Sequence, residues 1–418
     1  MNSPSIASSV REALLSRFLR YVQIDTESDP ASTTYPSTEK QLDLLRLLRD
    51  ELIELGVPEV RLLEKGYVMA QIPATPGYED RPALGLIAHA DTSPDFTGRG
   101  VRPQIIEDYD GSPIALGDTA ALTAREFPEL MELLGHTLIT TDGSTLLGAD
   151  DKAGVAEIME TVRYILAHPE LPHGKICIGF TPDEEIGKGV DFFDVKAFGA
   201  DFAFTVDGSR EGELEYENFN AASARVVAHG RSIHPGSAKG KMINALEAIY
   251  LLHAALPHYA RPEFTEGYEG FYHLMHFSGN VEYAEAEYII RDHDRALFEE
   301  KKELMAQVAA EINVAYKRPV IELTIEDTYY NMYDQVAPHE EYLERARAAM
   351  LRAGVTPRTS PIRGGTDGAR LSYMGLPCPN LFTGGANFHG KYEYASLDTM
   401  CRSVETLVYL LTEAPTAG

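Results

Sequence analysis

Basic residues are scarce in this sequence: 37 lysines and arginines stand against 64 aspartates and glutamates, a formal charge of −27. A surface of that sign repels a phosphate backbone, which excludes nucleic acid as a natural partner. Cysteine is rarer still. Cys177, Cys378 and Cys401 form an odd set without close spacing, which argues against a disulfide framework and a thiolate metal site and fits a reducing compartment. No apolar run approaches the roughly 20 residues that span a bilayer, so no membrane partner is expected. The opening MNSPSIASSVREALLSRFLRYV lacks the basic start, apolar block and small-residue cleavage site of a signal peptide. The expected location is the cytoplasm.

What is present is ordinary globular composition, 44% hydrophobic and 24% charged over 418 residues, enough for two domains with their own cores. Val10, Leu14, Phe18 and Val22 recur at helical spacing, and a second helix is expected after Pro36, with Thr38 and Gln41 as its capping box. ALGLIAHAD (83–91), KICIGFT (175–181) and FAFTVD (202–207) are short apolar runs of the kind buried in parallel sheets. Between them, Val155, Ile158, Met159, Val162, Ile165 and Leu166 mark a helix that starts just after GADDKAG. This alternation predicts an α/β fold with a central, mostly parallel sheet. From about Phe219 the order becomes β-α-β-β-α-β, which reads as a smaller ferredoxin-like α+β unit inserted into the first. The expected boundaries are 1–217 with 331–418 for the larger, discontinuous domain and 218–330 for the insert.

Ligand-type side chains gather where an open α/β sheet places its site, beyond the carboxyl ends of strands. His89 and Asp91 end one strand, Asp150 and Asp151 precede a helix, Glu184 and Glu185 follow a strand, Asp207 ends another, and His389 lies in the glycine-rich TGGANFHG. Taken singly, each has an ordinary reading: a solvated loop pair, a helix cap, a charged surface, a turn. Their joint occurrence points to a metal site. Two imidazoles with several carboxylates and no thiolate suit catalytic zinc, with manganese or cobalt as substitutes. Asp91 is placed to accept the second N–H of His89, and the Glu184–Glu185 pair lets one carboxylate bind metal while the other moves protons. That division suits amide hydrolysis by metal-activated water.

SDPASTTYPST, AHADTSPD, TLLGADDKAG, TPDEEIGKG, ENFNAA, HPGSAKGKMINAL, IIRDHDR, RGGTDGARLS and NFHGKYEY together resemble the glutamate-carboxypeptidase-like family of two-zinc peptidases, from about residue 20 to 410. HADTSPD and RGGTDGA are narrower than the family pattern and are similar to its aminopeptidases that act on tripeptides. The resemblance implies a zinc-peptidase catalytic domain with the insert as a lid, and two zinc ions per subunit. It implies that Asp150 bridges them, with His89 and Asp207 completing one site and Glu185 and His389 the other. Glu184 would be the general base and Asp91 the catalytic partner of His89, and the Asp150–Asp151 peptide would be cis. His234 matches a lid histidine that polarises the scissile carbonyl. Arg291 and Arg363 are candidates for the peptide carboxylate, since a guanidinium binds it bidentately; a structural ion pair, such as Arg291 with Asp294, is the alternative. Asp367 could receive the free α-amine or cap its own turn. The segment HLMHFSGNVEYAEAEY has no clear family match, which leaves side-chain preference open. A related dipeptidase, carboxypeptidase or N-acyl amino acid deacylase would use the same metals and base and differ only in recognition. A non-catalytic peptide-binding protein would have no need of Glu184. Short peptides are the expected partners, with monomer or homodimer undetermined.

Overall fold

A computed structural model describes residues 5–118 and 120–413, which form two compact units. The first takes in the described residues up to Tyr216, Asp334–Thr359 and those from Thr366 onward; the second is Glu217–Tyr333 with Ser360–Gly365.

In the first unit a seven-stranded sheet runs in the order Glu59–Leu62, Val68–Ile72, Ile176–Thr181, Leu84–His89, Phe202–Gly208, Asn380–Phe382, Leu214–Glu215. The inner strands, from Ile176–Thr181 to Asn380–Phe382, are parallel to one another, and the outer ones are antiparallel. Every residue of Leu84–His89 and Ile176–Thr181 is buried, as expected of apolar runs covered on both faces. The helix Ala149–Ala167 packs against this sheet and against the helices Ile6–Val22 and Leu397–Leu411. It is therefore buried almost all round, including Glu157 and Glu160. A Cβ added at Gly154 would lie 1.7 Å from the carbonyl oxygen of Val206, so only glycine lets the helix come so near the Phe202–Gly208 strand.

Val10, Leu14, Phe18 and Val22 line the buried side of Ile6–Val22, each worth about 1.5–3 kcal/mol on burial. The expected Thr38–Gln41 capping box does not form. The helix Gln41–Glu54 starts without a side-chain cap, because Thr38 donates to the Glu27 carbonyl and Gln41 turns inward to the Asp183 carboxylate, a stronger acceptor. A small antiparallel sheet orders Gly385–Ala386, Tyr394–Ser396, Leu138–Thr140 and Gln104–Ile106. Its first two strands pair with each other and so fix both ends of the loop that carries His389.

The second unit is an antiparallel sheet in the order Phe271–Gly279, Tyr283–Asp292, Asn220–His229, Ile321–Tyr329. With the helices Ala245–Ala255 and Arg295–Tyr316 it has the β-α-β-β-α-β order. Alternate residues Ala222, Ala224, Val226 and Ala228, and Ala284, Ala286, Tyr288 and Ile290, enter one core with Ile249, Leu252, Phe298 and Met305 of the two helices. Asn244 and Asp294 cap those helices. Among the described residues no helix is long and apolar enough to cross a membrane.

Candidate metal centre

The first unit brings together the donors that the sequence scatters over 300 positions, from His89 to His389. His89 is the last residue of Leu84–His89, and Asp207 lies at the carboxyl end of Phe202–Gly208. Glu184 and Glu185 form a short 3-10 turn after Ile176–Thr181. Asp150 and Asp151 open the helix Ala149–Ala167 with non-helical backbone and a cis peptide between them.

Asp150 faces two ways. Its Oδ1 is 2.8 Å from His89 Nε2, and the same nitrogen is 3.6 Å from Asp207 Oδ1. Its Oδ2 is 3.4 Å from His389 Nε2, which in turn lies 3.0 Å from Glu185 Oε2. Two donor triads, His89–Asp150–Asp207 and His389–Asp150–Glu185, can thus be drawn around one carboxylate, while donor atoms of His89 with Asp151 and Asp207, and of His89 with Asp150 and Glu185, also lie within 4.8 Å of one another. Asp151 is adjacent but engaged otherwise: its Oδ2 accepts the His89 backbone N–H and its Oδ1 that of Gly154. Glu184 Oε2 lies 4.0 Å from His89 Nε2, beside the triads rather than within them.

The triads fit divalent cations. Glu185 Oε1 is buried without a hydrogen-bond partner, the state of an atom shaped to meet a ligand. The carboxylates of Asp150, Asp151, Glu184, Glu185 and Asp207 crowd two imidazoles, and burial pushes most of them toward the protonated form. Desolvation, reinforced by Asp150, lifts Glu185 to about 8, and desolvation lifts Asp207 to about 6 against the His89 bond. Burial, with Asp367, Asp207 and Glu185 as neighbours, holds Glu184 well above the carboxylate range. Burial also opposes ionisation of Asp150, yet hydrogen bonds from His389 and His89 outweigh it and hold this one group low. Bonds to Asp150 and Glu185 raise His389 to about 11. Such a cluster binds positive charge, whether protons or metal ions.

Behind the donors lies a layer of supporting bonds. The Nδ1–H of His89 is shared by the Asp91 carbonyl at 3.1 Å and Asp91 Oδ1 at 3.3 Å, which leaves Nε2 for the triad. The Asp91 carboxylate also accepts the backbone N–H groups of Glu184 and Glu185, at 3.0 and 3.2 Å. Asp183, in left-handed conformation one residue before Glu184, accepts from Ser37 N–H and Oγ–H and from Gln41 Nε2, while Gln41 Oε1 accepts the Asp183 N–H. Asp183, Ser37, Gln41, Asp95 and Glu393 escape a reading by residue type. The one signal for them is their position inside the motifs of the metal donors or in SDPASTTYPST, except Gln41, which lies three residues beyond the latter. Asp367 is not a cap, since Thr366 accepts the Ala369 N–H; the Asp367 carboxylate is buried and accepts from Thr181 Oγ–H. Burial raises it to about 7.

His234, Arg291 and Arg363 belong to the second unit. His234 is exposed and its Nδ1 accepts the Gly236 N–H, which places its proton on Nε2. Arg363 donates to the carbonyls of Gly267, Glu269 and Thr265 and to Thr265 Oγ1, and lies over the Phe219 ring. Arg291 donates through Nη1 to the carbonyls of Ile290 and Ala222 and lies over Tyr329. It forms no pair with Asp294, which caps the following helix.

Residues 216–319 match a family model described as a peptidase dimerisation domain. Over 404 residues the chain is 52% identical to peptidase T of Geobacillus thermodenitrificans, covering 96% of this chain and 98% of that one. Peptidase T of Clostridium acetobutylicum is 53% identical over 402 residues, with the same coverage. Among solved structures, the aminopeptidase PepT from Bacillus cereus superposes with a TM-score of 0.75 at 22% identity, covering 96% of this chain and 98% of that one. A dinuclear metal-binding M20-family peptidase of Bacillus subtilis superposes with a TM-score of 0.64 at 14% identity, covering 97% and 98%.

Proposed function

The chain belongs to the peptidase T family, and on that premise we propose that it is a metal-dependent aminopeptidase that removes the first residue of short peptides, chiefly tripeptides, with Glu184 as general base. The observation that carries this reading is the two-sided Asp150 carboxylate, one oxygen in each donor triad. His89, Asp150 and Asp207 would hold one cation, and His389, Asp150 and Glu185 the other. Nitrogen and oxygen donors without thiolate suit zinc, with manganese or cobalt as substitutes. Cations bound there would polarise the scissile carbonyl and lower the pKa of water toward about 7.

The protein's own groups do the rest. Glu184 stands beside the His89 triad without a ligand's place in it, so one of its oxygens is placed to take the proton of the attacking water and return it to the leaving amine nitrogen. Asp91 keeps His89 in the Nδ1–H tautomer and, through two backbone bonds, fixes where Glu184 and Glu185 stand. For recognition, the Nε2–H of His234 suits a donor to a carbonyl oxygen. Arg291, with Nε and Nη2 not committed to carbonyls, suits a peptide carboxylate better than Arg363, whose fork is filled by the 265–269 loop.

The test is hydrolysis of Ala-Ala-Ala, Ala-Ala and N-acetylated Ala-Ala-Ala by wild type and Glu184→Gln. Release of N-terminal alanine from the free tripeptide, with a fall in kcat of about 10²–10⁴ in the variant, supports the reading. Cleavage of the acetylated peptide, or full activity without Glu184, rejects it.

A further inference from the structure

Glu393 is a buried carboxylate outside both triads. Its Oε2 accepts the backbone N–H groups of Leu147 and Gly148, at 2.7 and 2.8 Å, and its Oε1 accepts that of Asp150 at 3.1 Å. The helix that starts at Ala149 has Gly148, in left-handed conformation, as its N-cap residue, with no side chain there to accept; past the non-helical Asp150 and Asp151, Asp151 Oδ1 accepts the Gly154 N–H. Three amides of the turn that leads into the helix, those of Leu147, Gly148 and Asp150, are instead gathered by a carboxylate 243 positions away in sequence from Asp150.

The segment that supplies this carboxylate is the loop of His389. The strands Gly385–Ala386 and Tyr394–Ser396 close it, with His389 at positive φ near its tip and Glu393 at its base. The loop thus holds two things at once, an imidazole of the second triad and the backbone of the carboxylate that the triads share. His89 and Asp207 sit on strands of the large sheet and need no such tie. The His389 side chain is 41% exposed and has no ladder to hold it.

From this geometry we propose that Glu393 is a positioning residue that sets the spacing between His389 and Asp150, and so fixes the affinity of the His389–Asp150–Glu185 triad for its cation. The inference rests on the assignment of these residues as metal ligands. Three converging N–H groups need an acceptor on both oxygens. Glu393→Gln keeps the shape but turns an NH₂ group toward at least one of those amides, which repels it.

The experiment is a competition titration of apo protein with zinc against a chromophoric chelator, for wild type, Glu393→Gln, Glu393→Asp and His389→Ala, with far-UV circular dichroism as the check of folding. Wild type should bind two ions. Glu393→Gln should weaken one ion by tenfold or more and the other, which shares only Asp150 with this loop, by clearly less, and Glu393→Asp, which keeps the charge but falls short of the amides, should show the same split if Glu393→Gln does not fold. Two ions at wild-type affinity in the folded Glu393 variants would overturn the proposal, as would equal weakening of both. Two ions at wild-type affinity in His389→Ala would instead overturn the ligand assignment, which separates the two failures.

Discussion

His389 turns its Nδ1 toward the Asp95 carboxylate, 3.2 Å away, while its Nε2 faces Glu185 and Asp150. The arrangement repeats in the open what Asp91 does for His89 under cover. Asp95 is 70% exposed, and water screens its charge. Asp95→Ala should therefore weaken the ion of the His389 triad at the low end of the range for such partners, about tenfold. Competition titration with zinc checks this; wild-type affinity would mean that the pair does not orient the imidazole.

Asp91 holds more. Its carboxylate receives the amides of Glu184 and Glu185 as well as the His89 ring, and it is fully buried. Asp91→Ala should lower kcat by about 100-fold or more, since the base and a ligand both lose their anchor. Steady-state kinetics on a free tripeptide at saturating zinc separates this from simple metal loss. A change in KM alone would contradict it.

Removal of metal should destabilise the first unit. Cations that bind only the folded cluster of Asp150, Glu185, Asp207, His89 and His389 add stability of about 2.7 kcal/mol each at a concentration 100 times Kd. At roughly 2–4 °C per kcal/mol, chelation at pH 7 should lower Tm by several degrees. Differential scanning calorimetry with and without EDTA is the measurement, and an unchanged or higher Tm would remove the argument for cations in the triads.

Glu157 gives a pH dependence of definite sign. Burial raises its carboxyl well above the usual range, with only the Ser403 hydroxyl donating to Oε2 and nothing meeting Oε1. Above the unfolded value near 4.3 the unfolded chain loses this proton while the folded chain keeps it, so stability falls as pH rises toward the folded value. Glu157→Gln removes that slope. Its stability relative to wild type, from urea unfolding, should increase as pH rises above the ordinary carboxylate range. A constant difference would mean that Glu157 is ionised in the fold.

The inner strands were legible because ALGLIAHAD, KICIGFT and FAFTVD are unbroken apolar runs, and burial on both faces leaves no other use for such runs. The second unit was legible from element order and from the alternation in AASARVVAHG. The candidate donors His89, Asp150, Glu185, Asp207 and His389, and Glu184 beside them, could be singled out because metal chemistry restricts the residue types. The support around them could not. Asp183 meets Gln41 across 142 positions and Glu393 meets Leu147 across 246, and nothing local marks either carboxylate as buried. Thr38 was misread as a cap for a like reason: the helix has Lys40 as its N-cap residue, and Gln41 Nε2 is shared between Thr38 Oγ1 and the distant Asp183 carboxylate. Edge pieces such as Leu214–Glu215, two residues long, carry too little pattern to be seen. That Ser360–Gly365 returns to the second unit is likewise invisible in composition.

The order of the donors along the chain has a bearing on biosynthesis. During translation both segments of the second unit, Glu217–Tyr333 and Ser360–Gly365, are made before His389, and domains generally fold as units in order of synthesis. The first unit must wait, because its parallel strand Asn380–Phe382 and the last imidazole come from the same late stretch. A growing polypeptide can therefore display the earlier carboxylates without a paired centre. Both sets of donors are complete only once His389 has been made, so the paired centre is a late product of synthesis.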